Sequence, residues 1–376
     1  MDRREFLKIS LAGSGLFFCP VMSGLQDGLF SATPVYSSTM SKVEARYYAK
    51  LPDREIRCDL CPRYCQLGDK ERGFCGVREN QGGRYYTLVY GKVVSLNVDP
   101  IEKKPFFHFL PGSETFSIAT AGCNFSCKFC QNWEISQMRP EQVRNINLPP
   151  QVVVATAIEY RCPVVAYTYT EPVVFFEFMY DTCVLARRNG LKNAVVTAGF
   201  INPEPLEDLL KVVDAIKVDL KAFNQKFYTN YVKGELKPVL ETIRRIVRAG
   251  AWLEIVYLVI PSLNDDPNEI KQMSRWLKQE IGPDYPIHFS RFHPMYLIKN
   301  LPPTPISTLE KLREIALAEG LNYVYVGNVP GHPGENTYCP KCGKLVIERY
   351  GYTIKKKELS KGQCRHCGQT IAGVWS

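Results

Sequence analysis

The stretch Phe116-Ser-Ile-Ala-Thr-Ala-Gly-Cys123-Asn-Phe-Ser-Cys127-Lys-Phe-Cys130 joins a short apolar run to a loop that carries three cysteines. The run Phe116–Ala121 predicts a buried strand, and the cysteines after it have the spacing C-x3-C-x2-C. Three thiolates on one loop can each bind one iron of a cubane cluster, which leaves the fourth iron open, whereas ferredoxin cubanes have four cysteine ligands. The stretch predicts an open iron–sulfur site after a strand, with a zinc site that takes a distant fourth ligand as the alternative.

Downstream of this loop, strand-like apolar runs alternate about six times with segments of helical spacing. Several helical segments end in Gly, where a left-handed cap is favoured. The alternation predicts an α/β fold with parallel strands and right-handed crossovers, either doubly wound or a full or partial (β/α) barrel. The predicted strands are Phe116–Ala121, Val164–Thr170, Ala194–Ala198, Ala215–Leu220, Trp252–Ile260, Pro286–Phe292 and Asn322–Gly327.

In both kinds of α/β fold, ligands bind at the C-terminal ends of the parallel strands. The residues directly after the predicted strands should therefore be suited to chemistry, and most of them are polar, small or thiol-bearing. They are Gly122–Cys130, Thr170–Glu171, Thr197–Gly199, Asp219–Lys221, Pro261–Asn264, Arg291–His293 and Asn328.

Residues 44–115 are predicted to form a Cys-rich region before the barrel. Tyr85–Tyr90 and Lys92–Asn97 flank Gly91 and predict a hairpin. Four cysteines in this region could bind zinc or a second iron–sulfur cluster, and we favour a structural metal. Tight Cys groups in a large apolar chain indicate metal ligands rather than a disulfide framework. The four are Cys58, Cys61, Cys65 and Cys75.

Residues 331–376 are predicted to form a zinc ribbon-like module. The pairs Cys339-Pro-Lys-Cys342 and Cys364-Arg-His-Cys367 are two knuckles of the zinc-ribbon type, with a rubredoxin-like iron site as the alternative. The net charge of the chain is +9, and residues 341–376 contain eight Lys or Arg against two Asp or Glu. This basic segment could bind nucleic acid or an acidic protein, or it could be a solvated surface.

The start of the chain resembles a twin-arginine export signal over residues 1–30, because Arg3-Arg4 precedes Phe-Leu-Lys. An N-terminal segment that carries no signal is the alternative. The apolar stretch Ile9–Met22 is too short and interrupted to span a membrane, and nothing else in the chain is predicted to do so. Residues 31–43 are predicted to be a linker.

The loop Cys123–Cys130 resembles the cluster loop of the radical SAM superfamily. The resemblance implies a partial (β/α)6 TIM-type barrel over residues 116–330. It also implies a [4Fe-4S] cluster on Cys123, Cys127 and Cys130, whose open iron chelates S-adenosylmethionine, with Phe129 near the adenine. A low-potential donor of the flavodoxin or ferredoxin type would reduce the cluster, and a 5′-deoxyadenosyl radical would abstract hydrogen from a substrate.

Other stretches match this resemblance residue by residue. Thr170-Glu171-Pro172 is similar to the end of a Gly-Gly-Glu-Pro motif, in which the Glu holds the amino group of the cosubstrate; a helix N-terminal acid is the alternative. Asp219-Leu-Lys221 resembles a motif of pyruvate formate-lyase activating enzymes, with a structural ion pair as the alternative. The remaining predicted cofactor-binding residues are Thr197, Gly199, Asn264 and His293, the last of which could equally be structural.

Residues 44–375 together resemble the radical SAM enzyme of the AmmeMemoRadiSam system, on segments such as Glu44–Tyr48, Pro100–Pro105 and Cys130–Ile135. The resemblance implies AMMECR1-like and Memo-like partners but no particular substrate. Activation of a glycyl radical enzyme is one hypothesis, and modification of a small molecule or nucleobase is another. The chemistry is expected in the cytoplasm, although a working signal would allow export to the periplasm.

Two functions without radical chemistry stay open from the sequence. One is an iron–sulfur protein that only transfers electrons, which would bind no S-adenosylmethionine and would not need Glu171. The other is a zinc-ribbon binding protein whose barrel is inactive.

Overall fold

A computed structural model describes residues 42–376, and its centre is one eight-stranded sheet. The strands lie in the sheet in the same order as in the chain, and strand β1 is antiparallel to β2 while all later neighbours are parallel. They are β1 (Ser95–Pro100), β2 (Glu114–Ala119), β3 (Val164–Tyr167), β4 (Lys192–Thr197), β5 (Ala215–Asp219), β6 (Trp252–Val259), β7 (Ile287–Arg291) and β8 (Val324–Gly327).

Each parallel strand from β2 to β7 is followed by a crossover helix. Three of these helices begin at Pro, which fits the first helical turn because its missing N–H would have no partner there. The helices are α1 (Pro150–Glu159), α2 (Phe176–Arg188), α3 (Pro203–Leu210), α4 (Leu236–Arg248), α5 (Pro267–Ile281) and α6 (Ile306–Ala318). A strictly sequential strand order favours the wall of a (β/α) barrel over a doubly wound sheet, in which the order reverses.

The core lies between the sheet and these helices. All four residues of β3 are buried. On α4 the buried residues recur at helical spacing, as Val239, Thr242, Ile243 and Ile246. The α/β class predicted from the alternation is confirmed, and the sheet is mixed rather than wholly parallel because β1 adds an antiparallel edge.

Short elements surround the sheet. The further strands are Val43–Glu44, Tyr48–Lys50, Ile56–Cys58, Gln66–Leu67, Arg78–Gln81, Arg84–Thr87, Lys92–Val93, Ile146–Asn147, Thr337–Tyr338, Leu345–Tyr350, Thr353–Lys357, Leu359–Ser360 and Gln363–Cys364. The short helical segments are Pro52–Arg54, Ile101–Lys103, Trp133–Ser136, Pro140–Gln142, Pro172–Phe175, Gln225–Phe227, the π-helical Tyr228–Val232, and Pro333–Glu335.

The hairpin predicted around Gly91 is wrong, because its two strands pair with other partners. Arg84–Thr87 pairs with Arg78–Gln81, and the turn between them is Gly82-Gly83, both with positive φ. A two-residue hairpin turn of the type that needs positive φ at both positions suits a Gly pair. Lys92–Val93 instead pairs with Ile146–Asn147, and the segment after it becomes β1.

Buried polar contacts attach the C-terminal segment to the sheet. The Glu254 carboxylate, on β6, accepts the backbone N–H groups of Phe107 and His108 at 2.9 and 2.8 Å, and the ring of His288 at 2.8 Å. The Arg349 guanidinium donates to the Phe107 carbonyl at 2.8 Å. The Cys-rich C-terminal segment is therefore joined, through Phe107 and His108, to Glu254 in the N-terminal half of β6, away from the strand ends where ligands bind.

Two sequence predictions concern membranes and targeting. Within residues 42–376, no helix combines the length and the apolar character that a membrane crossing requires. The export-like signal at residues 1–30 lies outside the described residues, as does most of the predicted linker.

Candidate functional site

The three-cysteine loop leaves the C-terminal end of β2 through Gly122. The φ of Gly122 is +96°, and a Cβ at this position would lie 2.5 Å from Val77 Cγ1 and 2.8 Å from the Cys75 carbonyl oxygen. Both the positive φ and the close approach require glycine. The sequence thus brings the loop directly against the Cys-rich N-terminal region.

Backbone hydrogen bonds to one neighbouring segment hold the loop. Ser126 N–H donates to the Val232 carbonyl at 3.0 Å, and Lys128 N–H donates to the Tyr231 carbonyl at 2.9 Å. Both acceptors belong to the π-helix Tyr228–Val232, an element that often occurs at functional sites. The sequence analysis missed this segment, because a π-helix has no pattern at the 3.6-residue period.

The thiols of the loop are largely shielded from water. Burial raises the pKa of the Cys127 thiol to about 12 and also raises the pKa of Cys123, so both are neutral without a metal. Phe125 N–H donates to Cys123 Sγ at 3.3 Å, and the Ser136 hydroxyl lies 3.1 Å from Cys130 Sγ. A metal that binds these sulfurs must therefore displace protons on binding.

The spacing of the three sulfurs bears on which metal they fit. Among residues 42–376, the one set of three or more His, Cys, Asp or Glu ligand atoms mutually within 4.8 Å lies in the C-terminal segment. The Cys123, Cys127 and Cys130 sulfurs are thus spread more widely than around a single tetrahedral zinc, where Zn–S is about 2.3 Å. Wider spacing fits a cluster in which each thiolate binds a different iron.

Asp219 is the last residue of β5, Lys221 follows two residues later, and both lie beside the loop. Lys221 Nζ is 2.8 Å from Asp219 Oδ2, and Lys217 Nζ also donates to Asp219. Burial opposes ionisation of Asp219, but the two lysines hold its pKa below the usual range. Burial likewise opposes the charge on Lys221, yet Asp219 and Cys127 raise its pKa. The ion pair weighed as the alternative is present, and its lysine faces the cluster loop.

Glu171 joins the ends of β3 and β4. Its carboxylate accepts the Thr197 hydroxyl at 2.6 Å, Ala198 N–H at 2.8 Å and Val173 N–H at 3.2 Å. Burial raises the pKa of Glu171 against these three donors. The bond from Val173 caps the helix Pro172–Phe175, as in the alternative considered from sequence. Gly199 N–H donates to the Thr197 hydroxyl at 3.0 Å, so the predicted Thr197 and Gly199 lie at the same place.

After two of the strands, a residue other than glycine has the left-handed backbone conformation. Tyr169 has φ +65° and Ser262 has φ +65°, although both carry side chains. Such non-glycine conformations cost energy and cluster at functional sites. Both residues lie just after parallel strands, at the edge of the sheet where ligands bind in α/β folds.

The last two predicted cofactor-binding residues differ in surroundings. The Asn264 side chain accepts Ile260 N–H at 2.7 Å and donates to the carbonyls of Lys221 and Leu258 at 2.8 and 2.9 Å. It therefore holds the backbone of Lys221 in place. His293 is exposed, after the end of β7.

A buried charge network beside Tyr169 was missed in the sequence. Lys104 Nζ is 2.5 Å from Asp99 Oδ2 and donates to the Tyr169 hydroxyl at 3.0 Å, and that hydroxyl donates to Asp99. Burial lowers the pKa of Lys104 to about 8. Asp99 lies on β1 and Lys104 lies in the turn after it. The predicted alternation of strands and helices did not include this part of the chain.

The C-terminal cysteines form a compact four-sulfur set. Cys339 Sγ lies 3.6 Å from Cys367 Sγ, and Cys342 Sγ lies 3.9 Å from Cys364 Sγ. All four ligand atoms lie within 4.8 Å of one another. This geometry fits a single tetrahedral metal ion.

The chain was also compared with known proteins. The profile described as "Radical SAM superfamily" matches residues 117–276. The uncharacterized protein MJ0808 of Methanocaldococcus jannaschii is 49% identical over 330 residues, which are 87% of this chain and 98% of that protein. The pyruvate formate-lyase 1-activating enzyme of Escherichia coli K12 is 21% identical over 210 residues, 52% of this chain and 85% of that enzyme. The benzylsuccinate synthase activating enzyme of Thauera aromatica is 23% identical over 175 residues, 43% and 53% of the two chains.

Proposed function

The chain belongs to the radical SAM superfamily, and from this premise we propose that it is an enzyme that cleaves S-adenosylmethionine reductively and abstracts hydrogen from a substrate. The observation that carries the proposal is the loop of Cys123, Cys127 and Cys130 directly after β2, whose three sulfurs do not form a compact set like that of the C-terminal cysteines. When bound, a reduced [4Fe-4S] cluster supplies the electron that breaks a carbon–sulfur bond and yields methionine and a 5′-deoxyadenosyl radical.

The charged residues around the loop are suited to bind the ammonium and carboxylate groups of S-adenosylmethionine. Each carboxylate oxygen can accept two hydrogen bonds, and Oε2 of Glu171 has one partner from the protein, the Ala198 N–H. Glu171 therefore keeps capacity to accept from the ammonium group of S-adenosylmethionine. The Lys221 ammonium has three donors, of which one goes to Asp219, so it can donate to the carboxylate of the same ligand.

Aromatic side chains shield the loop from water. Phe129 packs on Phe227 with ring centroids 5.7 Å apart, and Trp133 stacks on Tyr296 at 5.0 Å. Leu297 N–H donates to the Lys128 carbonyl at 2.9 Å, which fixes this cover to the loop. Exclusion of water protects a reactive intermediate from side reactions.

The substrate proposal is less specific. Two of the three relatives are activating enzymes by name, which supports activation of a glycyl radical enzyme by this chain. Modification of a small molecule or nucleobase is the second candidate, and the basic C-terminal segment favours a large polar partner. We further propose AMMECR1-like and Memo-like partners, a flavodoxin or ferredoxin type donor, and zinc at the four C-terminal cysteines, whose sulfur distances support it.

The test is cleavage of the cosubstrate. Protein purified without oxygen and loaded with iron and sulfide is reduced with dithionite in the presence of S-adenosylmethionine, and 5′-deoxyadenosine is measured. Wild type should form it and Cys127→Ala should not, while Cys162→Ala, which removes a buried cysteine outside the three groups, should keep the activity.

Failure has two distinct meanings in this assay. If a loaded, reduced wild type forms no 5′-deoxyadenosine but still binds S-adenosylmethionine, a missing partner gates the reaction. If it neither forms the product nor binds the cosubstrate, the loop only carries electrons and the proposal is wrong.

A further inference from the structure

A cavity outside the cluster loop is lined by a second set of cysteines. Its walls include Cys58, Cys61, Cys65 and Cys75, together with Asn124, the neighbour of Cys123. Cys58 and Cys61 are buried, and Cys65 and Cys75 are partly exposed. Four thiols thus line one space.

The sulfur spacing of this set differs from that of a zinc site. With Zn–S at about 2.3 Å, the sulfurs of tetrahedral zinc lie about 3.8 Å apart, which is close to the 3.6 and 3.9 Å between sulfurs of the C-terminal set. In the part of the chain that the structure describes, no three ligand atoms of the Cys58–Cys75 set lie mutually within 4.8 Å. One fold therefore holds a narrow and a wide four-cysteine set, and the wide set resembles the cluster loop.

The cavity is kept open by its own residues. A Cβ at Gly73 would lie 3.8 Å from both Cys65 Sγ and Cys75 Sγ and 3.0 Å from the Tyr85 hydroxyl, so a side chain there would enter the space between the sulfurs. Phe74 N–H points at Cys65 Sγ, 3.5 Å away. The missing side chain at Gly73 leaves room for a thiolate-bound cluster. The Phe74 N–H, which is aimed at a sulfur, also suits such a cluster, because the properties of a cluster depend on such donors.

The position of the set also favours a redox centre. The Arg63 guanidinium, which lines the cavity, donates to the Asn124 carbonyl at 2.8 Å, and the Cys75 carbonyl packs on Gly122. On the outer side, Tyr64 and Phe74 are 50% and 48% exposed. The set therefore lies between an exposed aromatic pair and the predicted cluster loop. Zinc has no redox chemistry and would make no use of this position.

We propose that Cys58, Cys61, Cys65 and Cys75 bind a second iron–sulfur cluster, with four cysteine ligands, and not the structural zinc that the spacing in the sequence favoured. The proposal concerns metal content and does not rest on the cleavage of S-adenosylmethionine. The proposed ligand set of four cysteines is the one found in ferredoxin clusters.

The test separates the two cysteine sets by mutation. The triple variant Cys123→Ala, Cys127→Ala, Cys130→Ala is loaded with iron and sulfide without oxygen, and iron, acid-labile sulfide and zinc are counted per chain. We expect about four iron and about four sulfide to remain, with an electron paramagnetic resonance signal after reduction. Adding Cys61→Ser and Cys75→Ser should remove both, whereas adding Cys162→Ala and Cys183→Ala should not.

Two results would overturn the proposal. The first is a triple variant that holds zinc in place of iron and sulfide, and the second is one that holds iron without sulfide. Wild type provides the check if the variants fold poorly, because two clusters require about eight iron per chain and one cluster about four. A wild type with about eight iron that neither forms 5′-deoxyadenosine nor binds S-adenosylmethionine would contradict the proposed function while supporting the second cluster.

Discussion

Lys221 places an ammonium group beside the buried thiol of Cys127, in a position fixed from two sides. Its backbone carbonyl accepts the Asn264 amide at 2.8 Å, and its side chain pairs with Asp219. If it holds the carboxylate of S-adenosylmethionine, Lys221→Met should weaken binding of that ligand roughly tenfold to 100-fold, because a hydrogen bond to a charged group contributes about 1.5–3 kcal/mol. Equilibrium binding to the loaded, oxidised protein measures this.

The matched control is Lys211→Met, on the outer surface. Lys211 also pairs with an aspartate, Asp208, at 2.6 Å, but its side chain is 67% exposed. Its loss should leave binding unchanged. Equal binding by Lys221→Met and wild type, with the metal content intact, would show that the Asp219–Lys221 pair is only structural.

His108 makes stability depend on pH. Burial lowers its pKa to about 4, among the nearby charges of Glu254, Arg349 and His288, so it is neutral in the folded chain at pH 7. The unfolded chain binds a proton on His108 below about pH 6.5, and the folded chain does so only near pH 4. Stability should therefore fall as the pH drops between these values, by up to about 3 kcal/mol from this group.

Urea unfolding of the full chain at pH 7 and pH 4.5 tests this. His108→Asn, whose amide can still donate to the Ala372 carbonyl, should lose less stability on acidification than wild type. His293→Asn removes an exposed histidine and should behave as wild type. An identical acid response in wild type and His108→Asn would contradict the assignment.

At the scale of elements, the sequence predicted the features that depend on periodicity. The strand–helix alternation from β2 to β8 and its Gly-ended helices are local patterns, and the structure contains them. The edge strand β1 was not predicted as part of the sheet, because Lys92–Asn97 was assigned to a hairpin around Gly91, whereas the hairpin turn lies at Gly82-Gly83. Thiols and charges after the strands were also visible in the sequence, but the Asp99–Lys104–Tyr169 network depends on the unpredicted strand.

The π-helix Tyr228–Val232 leads to a prediction about the loop it supports. The chain leaves it through Gly234, where a Cβ would lie 2.3 Å from Cε1 of the buried Phe125. Gly234→Ala should therefore displace the cluster loop, cost about 1–3 kcal/mol by overpacking and reduce the bound iron. Iron content and thermal unfolding would measure both effects.

The control for this variant is a glycine with room around it. The nearest atom to a Cβ at Gly68 would be 3.5 Å away, on the Glu71 side chain, so Gly68→Ala should retain iron and stability. Unchanged iron in Gly234→Ala would mean that Phe125 moves aside without moving the cysteines on either side of it.

At the scale of the whole molecule, the C-terminal segment shares a hydrophobic cluster with residues on and beside the eight-stranded sheet. Phe107, Tyr323 and Tyr325 pack in one cluster with residues around the four C-terminal cysteines. Arg349 and the Ala372 carbonyl are bonded to Phe107 and His108, which precede β2. A metal bound to these cysteines should therefore stabilise the sheet as well as the C-terminal segment. The ordered cysteine loops are needed to keep the buried polar groups of both parts hydrogen-bonded.

Removal of that metal gives the prediction for the whole chain. Cys342→Ser with Cys364→Ser should abolish zinc binding and lower the unfolding free energy by much more than the roughly 1 kcal/mol of an average substitution, with one calorimetric transition. Lys355→Ala, an exposed change between the knuckles, should leave the transition in place. If the variant instead shows an unchanged main transition, the buried contacts of Arg349 and His108 do not couple the two parts, and the segment folds as a separate metal-dependent unit.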